Sequence, residues 1–319
     1  MIVKKNMCMK RILLALFALI ILFSGITYLV IPGEMIAQNA FFVSGNPAAA
    51  ERHLVSRADA WSAWCAASGE RKAVYQYNNY QFEITGIYTG YDSIKISTPS
   101  GAILYSQLNF LPVSKDSFLI QWTTLKPFTA QPLLRWKNYF LSRELGSVQE
   151  AVLNQFITFI HDTSRVYEAP ISRQIVKDTL LLETSRDLNH RPETNEIYEL
   201  IDALHETIRK QQGSVQDSAM LNVTALPDQR FRLRVALPIR HEIKPGSGQA
   251  IKRMVEGYIL VMDRKGGPYS IQRAAQMLDQ FVKDGKLTSP AIPFEKLLTN
   301  RMAVRDTLQW TTRFYYPVM

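Results

Sequence analysis

QWTTRFYYPV, residues 309–318, and RFRLRVALPI, residues 230–239, lie 79 positions apart and read as two copies of one strand. Arg234 falls under Arg313, Pro238 under Pro317 and Ile239 under Val318. Each copy alternates small or polar side chains with large apolar ones and stops at a proline, which cannot donate to a sheet ladder. That is the pattern of a strand with one buried face and a punctuated end. Each copy also closes a longer run of strand, helix, strand, strand. The chain therefore predicts a duplicated βαββ module with halves 171–240 and 250–319, and a groove along the seam between them.

The polar stretch around Pro170 reads as the linker into this module, and HEIKPGSGQA, 241–250, as the connection between its halves. In the first half, Ile171–Glu183 reads as a strand and Pro192–Gln212 as a helix. Ile197, Leu200, Ile201, Leu204 and Ile208 share one face of that helix. Ala219–Thr224 and Phe231–Ile239 complete the unit as strands. In the second half, Val255–Met262 is the strand, a helix runs to Lys283, and Ile292–Leu298 precedes the terminal strand.

VEGYILVMDRKGGPYSIQRAAQMLDQFVKDGK, together with the residues from there to Val318, resembles the second half of the GyrI-like effector-binding domain, a small-molecule-binding module. The resemblance is carried by Gly267-Pro268-Tyr269 at the helix start, Gly285 after its end, Pro293-Phe294-Glu295, and Trp310-Thr311-Thr312 through Pro317. It covers about 150 residues, and two positions depart from the family pattern. Phe281 stands where a tryptophan is usual, and Leu297 where an aromatic comes two places after the glutamate.

The resemblance implies that Glu295 lies at the bottom of an aromatic groove. A carboxylate walled by rings is poorly solvated and favours a cation that neutralises it. Ring faces attract the same cation. Trp310, Thr312, Phe314 and Tyr316 fall on one face of the closing strand by period two, and Tyr258 and Tyr269 are candidates for the opposite wall. The bland alternatives are a solvated Glu295 beside Lys296 and an aromatic face that is only core. The first-half position nearest Glu295 reads as Asn222 or Val223, so the groove is expected to hold one carboxylate.

Residues 34–165 predict a second domain. Met35–Val43 reads as a strand, and Asn46-Pro47 opens a helix with asparagine as N-cap and proline at its first position. That helix carries AAAERHLVSRADAWSAW. Next come five strands, Val74–Tyr77, Gln81–Gly86, Ser93–Ser97, Ala102–Phe110 and Ser117–Leu125, with turn residues between them. After Pro127 the period becomes helical, first around Leu133–Phe140 and then over Gly146–His161. This order, with Trp61-x-x-Trp64, resembles the polyketide-cyclase/START-like (SRPBCC, helix-grip) superfamily. The resemblance implies a cavity for apolar ligands between sheet and closing helix. Tyr75, Tyr77, Tyr80, Phe82, Tyr88, Tyr105, Phe110 and Trp122 would line such a cavity or pack an ordinary core.

At the N-terminus, Ile12–Ile31 is twenty uncharged residues preceded by Lys4, Lys5, Lys10 and Arg11. That length crosses the hydrocarbon layer of a bilayer. The basic flank belongs in the cytoplasm, which places everything after Pro32 on the far side. A cleaved secretion signal is the alternative, but the run exceeds an ordinary signal core and no A-x-A site comes after it. Residues 1–33 thus read as flank and anchor, and the fold class as α+β behind a membrane helix. The formal charge of +9 falls to +5 without those four basic residues, which gives no case for nucleic acid. Cys8 and Cys65 would lie on opposite sides of the membrane and cannot pair; Cys65 reads as a small buried hydrophobe.

Catalytic motifs fail on inspection. Arg209 stands where His205-Glu206 would need a second histidine, and Pro245 comes soon after His241-Glu242. His161-Asp162 reads as a helix end. No metal or cofactor is expected. Three functions remain: capture of an amphipathic small molecule, cationic where Glu295 is its counter-ion; hydrolysis of a small electrophile with Glu295 as base; and a structural or partner-binding role with filled pockets.

Overall fold

The computed structural model describes residues 2–67, 73–126, 128–176 and 180–319, with side chains from Leu13 onward except Lys126. The side chains of Lys4, Lys5, Cys8, Lys10 and Arg11 lie outside this set, as do Pro127 and the middle of the strand expected at Ile171–Glu183. The chain divides into two compact units, Met1–His161 and Asp162–Met319. Both are α+β and each is built on one antiparallel sheet.

The first unit opens with α1 (Ile2–Val30). Its Leu13–Val30 segment has a mean hydropathy of 2.6, long and apolar enough to cross a membrane. Leu13, Phe17, Leu22 and Leu29 are among its exposed side chains. The helix end is held from within the same unit. Arg135 donates to the Ile31 carbonyl at 3.1 Å and to Thr129 O at 2.9 Å, and its guanidinium lies 4.3 Å from the Tyr28 ring. A cation on the last free carbonyls of a helix satisfies them and the negative end of the dipole together. Trp136 Nε1 adds a hydrogen bond to Thr27 Oγ1 at 3.0 Å.

Beyond α1 come β1 (Met35–Ser44), α2 (Pro47–Leu54), β2 (Val74–Tyr77), β3 (Tyr80–Tyr88), β4 (Tyr91–Ser97), β5 (Ile103–Ser114), β6 (Ser117–Lys126) and α3 (Pro132–His161). The six strands lie in the order β1-β6-β5-β4-β3-β2. Asn46 caps α2, accepting from Ala49 N at 3.0 Å, and Pro47 is the first helical residue. The helix expected to run on to Trp64 stops at Leu54, and a short 3₁₀ turn, Ala60–Ala63, takes its place. The two tryptophans explain the break. Trp61 Nε1 donates to Leu54 O at 2.9 Å and Trp64 Nε1 to His53 O at 2.8 Å, closing carbonyls that a continuing helix would have used itself. The two helices expected after Pro127 are one, α3, which passes through Gly146 without interruption.

Trp61 is fully buried against the sheet, and its neighbour Trp64 meets Phe156 of α3 at 5.2 Å. The Trp61 ring centroid lies 5.0 Å from Trp64, 5.5 Å from Tyr75 and 5.6 Å from Trp122. Tyr75, Phe82 and Trp122 are core residues, whereas Tyr88 and Tyr105 face outward. Cys65 is buried and its thiol is pushed up to about 11, as expected of a packing residue. One polar group breaks the pattern. Asp92 is wholly buried beside Ile94 and Ile96, neither carboxylate oxygen has a hydrogen-bond partner among the described residues, and burial pushes its pKa up to about 7.

The second unit carries α4 (Thr163–Val166), β7 (Ile171–Val176), β8 (Leu180–Leu188), α5 (Thr194–Lys210), β9 (Met220–Ala225), β10 (Phe231–Ile239), β11 (Gln249–Arg253), β12 (Gly257–Lys265), α6 (Pro268–Asp284), β13 (Phe294–Leu297) and β14 (Thr311–Val318). The strand order is β11-β8-β10-β9-β13-β14-β12-β7. It reads the same from either end once β7 is matched with β11, β8 with β12, β9 with β13 and β10 with β14. The expected strand Ile171–Glu183 is two. β7 pairs with β12 of the other half, and β11, which replaces part of the expected connection, pairs with β8. Each half thus lends its first strand to the far edge of its partner. Pro238 and Pro317 sit in inner strands, yet both lie past the last residues paired with β9 and β13, where no donor is required.

Two outcomes are expected of the first unit. Trp61→Ala should cost about 3–5 kcal/mol, read by denaturant unfolding. Because Asp92 is raised above its unfolded value of 3.8, the stability that it permits is full below that value and declines as pH rises toward about 7. Asp92→Asn should therefore raise the melting temperature at pH 8, change it little at pH 3.5, and flatten the slope between; an unchanged slope would rule out Asp92 as its source.

Candidate functional site

The register at the seam sets the site. β9 and β13 meet over two residue pairs, Leu221 opposite Glu295 and Met220 opposite Lys296. Leu221 pairs with Val235 on β10 as Glu295 pairs with Phe314 on β14, and these partners are again 79 positions apart. Leu221, not Asn222 or Val223, is therefore the counterpart of Glu295, and the two face each other across the pseudo-twofold axis. Asn222 instead ties the seam: its Nδ2 donates to Pro293 O at 2.8 Å, and its Oδ1 accepts from Arg234 Nη1 at 3.1 Å.

Above this pair a cleft of about 1090 Å³ opens between α5 and α6. Leu221, Val223, Ile271, Leu278 and Phe314 supply apolar wall, while Glu295, Arg301, Arg191 and Glu193 supply charge; Glu193, at the start of α5, is a second carboxylate where one was expected. Tyr269, 83% exposed, stands at the rim. Trp310 and Tyr316 also line the cleft. Trp310, Phe314 and Tyr316 at the same time pack with Leu260, Met262 and Leu278 beneath α6, so the aromatic face is both core and wall. Thr312 is fully buried behind this wall. Tyr258 is not part of it. It lines a separate cavity of about 510 Å³, and its ring stacks 3.7 Å beneath the Arg173 guanidinium. The structure thus brings together Glu295, Trp310, Tyr269, Phe314 and Tyr316, with Thr312 behind them.

Of the two departures from the family pattern, Phe281 meets Tyr167 edge-on at 5.0 Å, and Leu297 is buried among the side chains of α5. Lys296 points the other way along β13, pairing with Asp217 and lying 5.0 Å from the Tyr315 ring.

Glu295 has a charged neighbour absent from the sequence expectations. The Arg301 side chain is 9% exposed and that of Glu295 29%, and Arg301 Nη2 stands 4.0 Å from Glu295 Oε2. Nη2 donates to Thr312 Oγ1 at 2.8 Å, the Trp310 ring lies 5.0 Å away, and Nε is buried with no partner among the described residues. The loop that carries Arg301 is pinned on three sides. Asn300 Oδ1 accepts from Met302 N at 3.0 Å, Trp310 Nε1 donates to Val304 O at 2.8 Å, and Arg301 N donates to Tyr198 Oη of α5 at 2.7 Å. Burial drives the Glu295 carboxyl above its ordinary value against the pull of Arg301 and Arg191, and the same burial lowers Arg301. Among the described residues no cluster of His, Cys, Asp and Glu could hold a metal ion.

No protein-family model matches the sequence, and comparison with curated proteins finds no match. Solved structures give partial likenesses. The C-terminal domain of EcmrR is 13% identical, over 47% of this chain and 98% of that one, at a TM-score of 0.41. A hydrolase from Listeria innocua is 11% identical, over 47% and 92%, at 0.38. SAV2435, solved bound to tetraphenylphosphonium, is 10% identical, over 47% and 94%, at 0.32. At such identity and overlap the likenesses assign neither ligand nor activity to this chain.

Arg301 and Leu221 carry no sequence signal of their own. In TNRMAVRD, residues 299–306, nothing in the spacing separates Arg301 from Arg305, and Leu221 is identified only by the strand register. The electrostatic account is checked by carbon-detected NMR of the glutamates: Glu295 should titrate above the ordinary 4.5 and higher still in Arg301→Met, because loss of a cation leaves the ionised form less supported. A midpoint unmoved by that substitution would contradict the coupling.

Proposed function

We propose that the chain is a small-molecule-binding protein held at a membrane by α1. Its GyrI-like second unit captures an amphipathic ligand in the cleft over Glu295. The observation that carries this reading is the cleft itself, where apolar walls converge on a charged end that is largely shielded from water. An apolar ligand body would displace water from Leu221, Val223 and Phe314, while its polar head reaches Glu295. The α1 segment, with its basic flank, would keep the N-terminus in the cytoplasm and both folded units outside it. In this reading the helix-grip-like domain expected at 34–165 is a spacer with a filled core, and nucleic acid is not a partner.

Hydrolysis of a small electrophile is a second reading, favoured by one observation: a carboxylate lifted by burial is a better base near neutrality than an ordinary one. Capture and turnover separate cleanly. With the detergent-solubilised chain and rhodamine 6G as probe, Val223→Trp, which fills the cleft from a partly exposed strand position, should weaken binding at least tenfold without lowering the melting temperature. Undiminished binding would place the ligand elsewhere. Turnover of small epoxides or esters that is abolished in Glu295→Gln would establish the hydrolase instead.

A further inference from the structure

The charged end of the cleft is built as a matched donor and acceptor, not as a lone anion. Arg301 is nine-tenths buried, yet among the described residues its side chain makes one hydrogen bond, to Thr312 Oγ1. Its Nε is sealed from water with no acceptor among the described residues. A guanidinium has five donors, and burying them unmatched is costly. Opposite it, Glu295 accepts no hydrogen bond from any described residue; its closest cation, Nη2 of Arg301, stands at 4.0 Å, beyond hydrogen-bond reach. Two opposite charges thus face one cavity with a gap between them and unused capacity on both sides. The loop around Arg301 is pinned by Tyr198, Trp310 and Asn300, so the gap does not close by simple collapse of the side chain.

Resting on the capture reading above, we propose that the ligand of this cleft is a neutral amphiphile whose head carries a hydrogen-bond acceptor and an N–H side by side, as in a lactam, carboxamide or ureide. Arg301 donates to the carbonyl oxygen and Glu295 accepts from the N–H. Such an edge bridges a donor and an acceptor that stand slightly too far apart to join directly, and both bonds are charge-assisted. A lipophilic cation without an N–H is less well served. It finds Glu295 already countered by Arg301 and Arg191, and it leaves the Arg301 donors unmatched. Thr312 and the Trp310 ring act through Arg301, fixing where its fork points.

The test is a matched pair of probes, 4-phenylquinolin-2(1H)-one and 4-phenylcoumarin, which share an outline but exchange a lactam N–H for a ring oxygen. Calorimetric titration of the detergent-solubilised full chain, with Val223→Trp in the same detergent as the blank, should show the lactam bound at least tenfold more tightly. Glu295→Met removes the acceptor of the N–H and should cut that preference below threefold, whereas Arg301→Lys, which keeps the charge but loses the fork that meets the shared carbonyl, should weaken both probes. Equal binding of the two probes to the unaltered chain overturns the paired head and leaves capture in the cleft standing. Binding of tetraphenylphosphonium alone has the same meaning. If no probe distinguishes the unaltered chain from Val223→Trp, both readings fall.

Discussion

The pairing of Leu221 with Glu295 at the pseudo-twofold axis is the constraint on which the rest of the second unit depends. Only two residue pairs of β9 and β13 join there, yet they align two sets of strands so that α5 and α6 flank a common floor. Short seams are weak by themselves. This one is supported from outside, because β7 and β11 each cross to the opposite half and complete its sheet edge. Those exchanges cover edges that would otherwise present open ladders. They also make the halves interdependent: each buries its helix against strands whose outer neighbour belongs to the other.

Sequence carried much of this. Alternation and the 79-residue offset located β10 and β14, and one-face patterns located α5 and α6 within two residues at most of their ends. These signals are local, and helix or strand periodicity is a local property. What escaped was long-range. The split of Ile171–Glu183 into β7 and β8 is decided by which partner each strand finds, and β11 is too short to announce itself beside Gly246-Ser247-Gly248. The end of α2 at Leu54 depends on two indole N–H groups arriving from later in the chain.

The candidate site divides in the same way. Glu295, Trp310, Tyr269, Phe314 and Tyr316 could be named from a motif and a period of two, and all five line the cleft. Tyr258 obeys the same alternation but sits at the end of β12, where Arg173 from β7 claims its ring face. Arg301 lies on an irregular loop whose path is set by contacts to α5 and to the Trp310 side chain, so no spacing rule reaches it. The cleft read from sequence was acidic; the folded one holds an opposed pair, because a strand contributes the carboxylate and a loop contributes its counter-charge.

Duplication usually yields two equivalent ways of docking a ligand, related by the axis that relates the halves. Here the axis passes between an aliphatic side chain and an acidic one, and the guanidinium beside the latter comes from the second half alone. A guest turned end for end would meet Leu221 where it needs Glu295. The fold is therefore symmetric in its scaffold and polar in its chemistry, and a molecule captured as proposed would have one heading in it rather than two.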